Sequence, residues 1–235
     1  LATAAILFAT VNSLDHRGLR ETYRASEPMT NCWATTEVFD WARGVYDKGY
    51  GPVIGDDGKN LSREHDITNV QHERTVVFVR PDYYLVIDRM LGDGEEAHTY
   101  SNMFHFDADE ATVDDQTLIV SSADAGKANL TLVPLATDGL TLRMVKGQED
   151  PVQGWIPRQS LRAIPTAIYE KTGAAPELFV TLMMPHPTEE VPELSAELIA
   201  DTSEMIAISV RTDGGEDVIL YAFDGPMAME AGGVA

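Results

Sequence analysis

The chain has 235 residues, 44% of them apolar, and carries 38 acidic against 17 basic side chains for a formal net charge of −21. A balance this negative argues against nucleic acid, whose binders set clustered cations against phosphates, and a single cysteine, Cys32, excludes an internal disulfide. The length is enough for one large domain with a full core, and no apolar run is long enough to make a membrane-spanning helix.

The chain opens on LATAAILFATV, which is apolar but has neither an initiating Met nor a basic segment before it. That makes a poor signal peptide, and the stretch reads as a core strand of a longer protein whose beginning lies elsewhere. Residues 1–70 read as the loop-rich edge of the domain, studded with Trp33, Phe39, Trp41, Tyr46 and Tyr50. Within it, Phe39-Asp40-Trp41-Ala42-Arg43 predicts a helical turn, and the glycine-rich GVYDKGYGPVIGDDG that follows predicts a long ordered loop. Cys32 reads as a small buried hydrophobe rather than a reactive thiol.

From Thr75 onward, β-branched and aromatic residues predict a series of short strands at 75–80, 83–90, 98–106, 111–121, 129–134, 140–146, 166–171 and 178–184. Arg80-Pro81-Asp82 supplies a reversal between the first two. Two more strands, 206–212 and 218–223, flank Asp213-Gly214-Gly215, a tight-hairpin signal. Strands so short and so evenly spaced predict an all-β fold, a large antiparallel sandwich of one domain over 1–235. Its main strands fill 71–225, and 226–235 forms a tail whose end is small and polar enough to fray.

Six histidines, His16, His65, His72, His98, His105 and His186, are the first candidates for chemistry. No HxH, HxxxH or CxxC pair among them offers a local metal half-site, so spacing alone predicts no metal. His72 and Arg74 share one face of a strand. Arg74 could meet a ligand carboxylate in a bidentate contact, or it could bridge an acid such as Asp88 on the neighbouring strand. The structural pair is the favoured reading, because strand motifs inside a sandwich usually serve packing. His105 lies between Phe104 and Phe106 and faces away from both, either as a satisfied core histidine or as a cleft residue; His98 is similar, and His186 reads as surface. Tyr46 and Tyr50, with Trp33 and Trp41, form an aromatic cluster that suits stacking on sugar rings and equally suits a core beneath a long loop. Arg17, Arg20 and Arg24 could meet carboxylates or sulfates, or could be salt-bridged to Glu21 and Glu27. No nucleophile elbow and no phosphate-binding glycine loop is present. The 38 acids include no pair that sequence singles out for glycoside hydrolysis.

Charge is uneven along the chain. Nine of the 17 basic side chains lie in residues 1–80, whereas beyond Lys171 only Arg211 is basic. A cationic first third would let a polyanionic sugar approach a protein whose overall field repels it; the plainer reading is an acidic surface that maintains solubility.

Several short motifs in one order carry a resemblance. His72-Glu73-Arg74, the PDYYLVID of Pro81 to Asp88 and the HTYSNMFHF of His98 to Phe106 are preceded by NSLDHRG, YRASEP and FDWARGVYDKGYG. They are followed by VQGWIP, AIPTAIYEK and LFVTLMMPHP. This succession resembles the sandwich domain of the heparinase II/III-like polysaccharide lyases. The resemblance implies a supersandwich-type fold in a protein that cleaves acidic, uronate-containing polysaccharide such as alginate or a glycosaminoglycan by β-elimination. It also implies a partner: an N-terminal helical toroid in the same parent protein, bearing a catalytic Tyr and His. The sandwich alone is expected to be inactive, and the parent to be periplasmic or secreted. Arg17, Tyr46, Tyr50, His72 and Arg74 are the expected cleft-facing residues. The family's metal site uses the histidine of an HNTV-like motif, and Phe8 stands at that position here, so no cofactor is predicted for this chain, while the resemblance leaves zinc open for the parent enzyme. A carbohydrate-binding or scaffold module without chemistry is the alternative.

Overall fold

The computed structural model describes residues 6–11, 32–47, 50, 53–54, 61–62, 67, 69–150, 152–157 and 161–224. Contacts divide the chain into two compact units, Leu1–Val191 and Pro192–Ala235. Among the described residues every regular element is a strand, every strand pair is antiparallel, and no helix is long and apolar enough to cross a membrane.

The first unit begins with β1 (Ile6–Val11), β2 (Cys32–Thr35), β3 (Phe39–Tyr46), β4 (Val53–Ile54) and β5 (Leu61–Ser62). Its middle holds β6 (Val70–Val79), β7 (Tyr83–Gly92), β8 (Ala97–His105), β9 (Ala111–Asp114), β10 (Ile119–Ser122) and β11 (Asn129–Pro134). It closes with β12 (Thr141–Val145), β13 (Gln148–Glu149), β14 (Val152–Gln153), β15 (Trp155–Pro157), β16 (Leu161–Ala163), β17 (Thr166–Ala174) and β18 (Glu177–His186). Eight strands form one sheet in the order β2-β3-β6-β7-β18-β11-β10-β9, and four form a second in the order β1-β8-β17-β12. The all-β sandwich that the spacing of strands predicts is the fold observed.

The two sheets face each other across a shared core. On β8 the side chains of His98, Tyr100, Asn102 and Phe104 are all buried and, at spacing two, point to one side of the sheet. Tyr100 and Phe104 pack with Val86, Met90, Leu132 and Phe179 of the eight-stranded sheet in one cluster. The opposite face of the eight-stranded sheet is also apolar and buried at Leu85, Ile87, Val180 and Leu182, which explains why these strands read as nearly unbroken apolar runs rather than clean alternations.

The first third departs from its sequence reading. Phe39-Asp40-Trp41-Ala42-Arg43 makes no helical turn; it is the start of β3, paired with β6 from Phe39↔Val79 to Tyr46↔His72. The opening of the glycine-rich segment, Gly44 to Tyr46, continues the same strand, and Val53–Ile54 pairs with Leu61–Ser62. Tertiary pairing with a long neighbour has overridden weak local preference. Likewise 111–121 is two strands rather than one, broken where the Asp114 carboxylate accepts hydrogen bonds from the Gln116 and Thr117 amides at 2.8 and 3.3 Å and Leu118 takes a left-handed φ of 59°.

The second unit is a three-stranded sheet of β19 (Leu194–Asp201), β20 (Met205–Thr212) and β21 (Gly215–Ala222), in that order. The predicted hairpin is present, with Thr212 opposite Gly215 and only Asp213 and Gly214 between them. Gly215 has φ 138°, a conformation that side chains rarely adopt. β19, which composition did not suggest, alternates half-buried and exposed residues along its length.

Candidate functional site

The β6–β7 hairpin sets the site. The Asp82 amide donates to the Val79 carbonyl at 2.9 Å, Val79 lies opposite Tyr83, and counting outward brings Arg74 opposite Asp88 and His72 opposite Met90. On the other flank of β6, Tyr46 lies opposite His72. Arg74 then closes on Asp88 bidentately, Nε to Oδ1 at 2.5 Å and Nη2 to Oδ2 at 3.0 Å. His72 Nε2 donates to Oδ1 at 2.7 Å. From the opposite sheet, Asn102 Nδ2 donates to Oδ2 at 2.9 Å, and Asn102 Oδ1 accepts from Arg74 Nη2 at 3.1 Å.

Asp88 is wholly buried, with no exposed side-chain surface. Burial alone would raise its carboxyl pKa; the Arg74 charge and the bonds from His72 and Arg74 outweigh that, and the net shift is downward. The group is therefore an ionised carboxylate that can only accept, so His72 Nε2 must carry a hydrogen. A buried charge survives here because every lone-pair direction is met.

Around this pair the interior of the sandwich is unusually polar. Tyr46 and Tyr50 pack edge to face at 5.5 Å between ring centroids, and Tyr50 is pinned to Ile67 by two backbone hydrogen bonds of 2.7 and 2.8 Å. His98 and Tyr100 make a second edge-to-face contact at 6.1 Å. Lys171, opposite Tyr100 on β17, is buried with its ammonium 5.6 Å from the Phe179 ring centroid, a favourable cation–aromatic geometry. Desolvation, and then the charge of Glu177, raises the Tyr100 pKa. Glu177 leans over Gly173, where any Cβ would stand 2.4 Å from its Oε1.

Four of the five expected site residues thus come together: Tyr46, Tyr50, His72 and Arg74 line one end of the inter-sheet space. Arg17 lies outside the described residues, as do His16 and His65. Of the two readings of His72-Glu73-Arg74, the geometry shows the structural pair with Asp88. Asn102, Tyr100, Lys171 and Glu177 were not anticipated; the signal for Asn102 was its place in the same alternating set as Tyr100 and Phe104. Trp33 and Trp41 do not join the tyrosines. Trp33 is 75% exposed, and it pairs with Ala42 while Trp41 pairs with Ala34, so the two tryptophans point to opposite faces. His186 is not at the surface either. It is buried, its Nδ1 donating to the Thr188 carbonyl at 2.7 Å and its Nε2 accepting from the Thr131 hydroxyl at 3.1 Å.

Two other features bear on chemistry. On the far face of β6, Glu73 is bound by Arg89 at 3.1 Å and approached by Arg43 at 3.7 Å. At another edge, a cleft of about 240 Å³ is lined by residues including Phe106, Asp107, Asp124, Lys127, Asn129 and Leu130. None of the expected site residues borders it, and its polar groups are spent on one another: Asp124 accepts from the Asp109 and Glu110 amides at 2.8 and 3.1 Å and from Lys127 at 2.7 Å. The polar end of the sandwich, not this cleft, holds the concentration of functional groups. Phe8 pairs with Met103 in the β1–β8 ladder and phenylalanine has no metal-donor atom, and among the described residues no three His, Cys, Asp or Glu side chains are grouped to hold an ion.

No family model matches the chain, and no curated protein matches it in sequence. Solved structures do match. The heparan sulfate lyase HepC from Pedobacter heparinus superposes with a TM-score of 0.63 at 18% identity, over 84% of this chain and 28% of that one. A heparinase III, the BT4657 gene product, gives 0.60 at 12% identity over 82% and 27%, and a further heparinase III gives 0.57 at 14% over the same shares. The fold of this chain is the β-sandwich that these structures share over that stretch. Identities this low establish the architecture and leave the chemistry to the residues, and the chain spans little more than a quarter of those enzymes.

Proposed function

We propose that this chain is the β-sandwich part of a polysaccharide lyase that cleaves an acidic, uronate-containing polysaccharide by β-elimination. The observation that carries the reading is the superposition over 84% of the chain on a heparan sulfate lyase, joined to a polar sandwich end in which tyrosines, histidines and cations gather. β-Elimination needs a neutralised uronate carboxylate, a base for the C5 proton and an acid for the departing glycosidic oxygen. Tyr46, Tyr50 and His72 are the proposed groups nearest the sugar, with Arg17 as a candidate cation for its carboxylate. Arg74 acts behind them, because Asp88 already neutralises its guanidinium.

The catalytic Tyr and His are proposed to reside on a helical toroid of the same parent protein, so these 235 residues alone should show no turnover. A periplasmic or secreted location belongs to the same reading. The test is to incubate the full-length parent with alginate, heparin and heparan sulfate and to follow the ultraviolet absorbance of unsaturated uronate ends; no rise on any of the polymers removes the proposal. A second reading, a sugar-binding or scaffold module without chemistry, is favoured by Phe8, where the lyase motif has histidine. Retention on an acidic-sugar column without product formation would select it.

A further inference from the structure

The second unit displays a feature that the lyase reading does not use. Ile199, Val218 and Leu220 are 50%, 57% and 50% exposed. Register places them together. Leu220 lies opposite Ala207, which lies opposite Ala200, and Val218 lies opposite Ser209, which lies opposite Glu197. Ile199 sits at the irregularity of β19 beside Ala200. Two alanines therefore floor a shallow furrow between aliphatic side chains, on a face where an antiparallel sheet exposed to water ordinarily carries polar residues. Clustered exposed aliphatics with a polar rim mark contact surfaces.

The rim says what would sit there. Residues 192–235 contain nine acids and one basic residue, Arg211, and Arg211 is itself held by Glu216 at 3.0 Å. Glu197, opposite Ser209, and Glu216, opposite Arg211, are exposed on the same face as the furrow. A second copy would bring the same negative rim against this one, and an acidic polysaccharide would be repelled.

We propose that the Ile199–Val218–Leu220 face of the C-terminal sheet docks a partner polypeptide surface whose centre is aliphatic and whose rim is Lys and Arg. The aliphatic centre supplies burial, and the opposed charges supply orientation and association rate. The test uses the whole chain and two synthetic octapeptides, one alternating Lys and Val and the other alternating Lys and Ser, with binding followed by calorimetry. The Lys-Val peptide should bind, and should weaken at least about tenfold in V218S/L220S and again at high salt; the Lys-Ser peptide should not bind. Circular dichroism establishes that the double variant is folded. Should it not be, E197Q/E216Q, which leaves the aliphatics in place, should weaken the same peptide. Equal binding of both peptides would reduce the surface to bulk charge and overturn the proposal. So would undiminished binding to folded V218S/L220S or to E197Q/E216Q, no binding of the Lys-Val peptide, or a chain dimer in sedimentation that V218S/L220S abolishes.

Discussion

Asp88 and Glu73 are two buried carboxylates on paired strands, each met by arginine, and they are built differently. Asp88 faces the space between the sheets, has no exposed surface, and takes four donor contacts from three residues, one of them on the opposite sheet. Glu73 faces the other way. Its partners, Arg43 and Arg89, belong to its own sheet and keep 24% and 14% of their side-chain surface in contact with solvent. The first arrangement is a closed polar joint between two layers; the second is a ladder along one layer with water at its margin. Glu73 has two arginines to the one of Asp88, so the tighter enclosure of Asp88 comes from closure and from recruiting a second sheet, not from arginine count.

That difference can be broken by mutation, starting with the largest expected effect. Asp88→Ala leaves Arg74 uncompensated inside the sandwich and should cost about 3–5 kcal/mol in urea unfolding; a loss below about 1 kcal/mol would show that the joint is dispensable. Asn102→Ala removes the donor that the opposite sheet supplies to Asp88 and should cost about 1–3 kcal/mol. Glu73→Ala should cost less, about 1 kcal/mol, because its arginines can turn to water. Acid sharpens the contrast. The Asp88 carboxyl lies below its ordinary value in the folded chain, so its contribution is complete above about pH 4 and is lost as pH falls through the lower folded value. Stability plotted against pH should therefore fall less steeply in that window for Asp88→Asn than for the wild type. The smallest effect belongs to the exposed Arg211–Glu216 pair: Glu216→Gln should leave the unfolding midpoint unmoved.

The halves of this joint differed in how far they could be read from sequence. Once Arg80-Pro81-Asp82 is taken as the reversal, Val79 must meet Tyr83, and five steps back along β6 and five forward along β7 set Arg74 against Asp88. The resulting pair was legible because one hairpin encodes it. Asn102 was not, because it belongs to a strand of the other sheet and nothing local states which sheet a strand will join. The same limit explains β3, where Phe39 to Arg43 has little strand character of its own and is extended only because β6 lies beside it. His186 was misread because proline usually ends a strand in the middle of a sheet, yet Pro185 sits within β18 opposite Leu130 and carries His186 inward. β19 was missed because Ala and Glu are poor strand formers, even though its burial alternates without a break.

The joint has a consequence for how the chain finds its alignment. A one-residue slip between β6 and β7 would turn Asp88 away from Asn102 and set it against Glu73 or Thr75 instead of Arg74. In one direction two anions would meet on the face of Glu73; in the other, an anion would meet a hydroxyl that cannot neutralise it. A greasy residue at position 88 would tolerate either error at small cost, whereas the carboxylate makes both prohibitive, so a single acid serves as the proofreader of the longest hairpin in the sandwich.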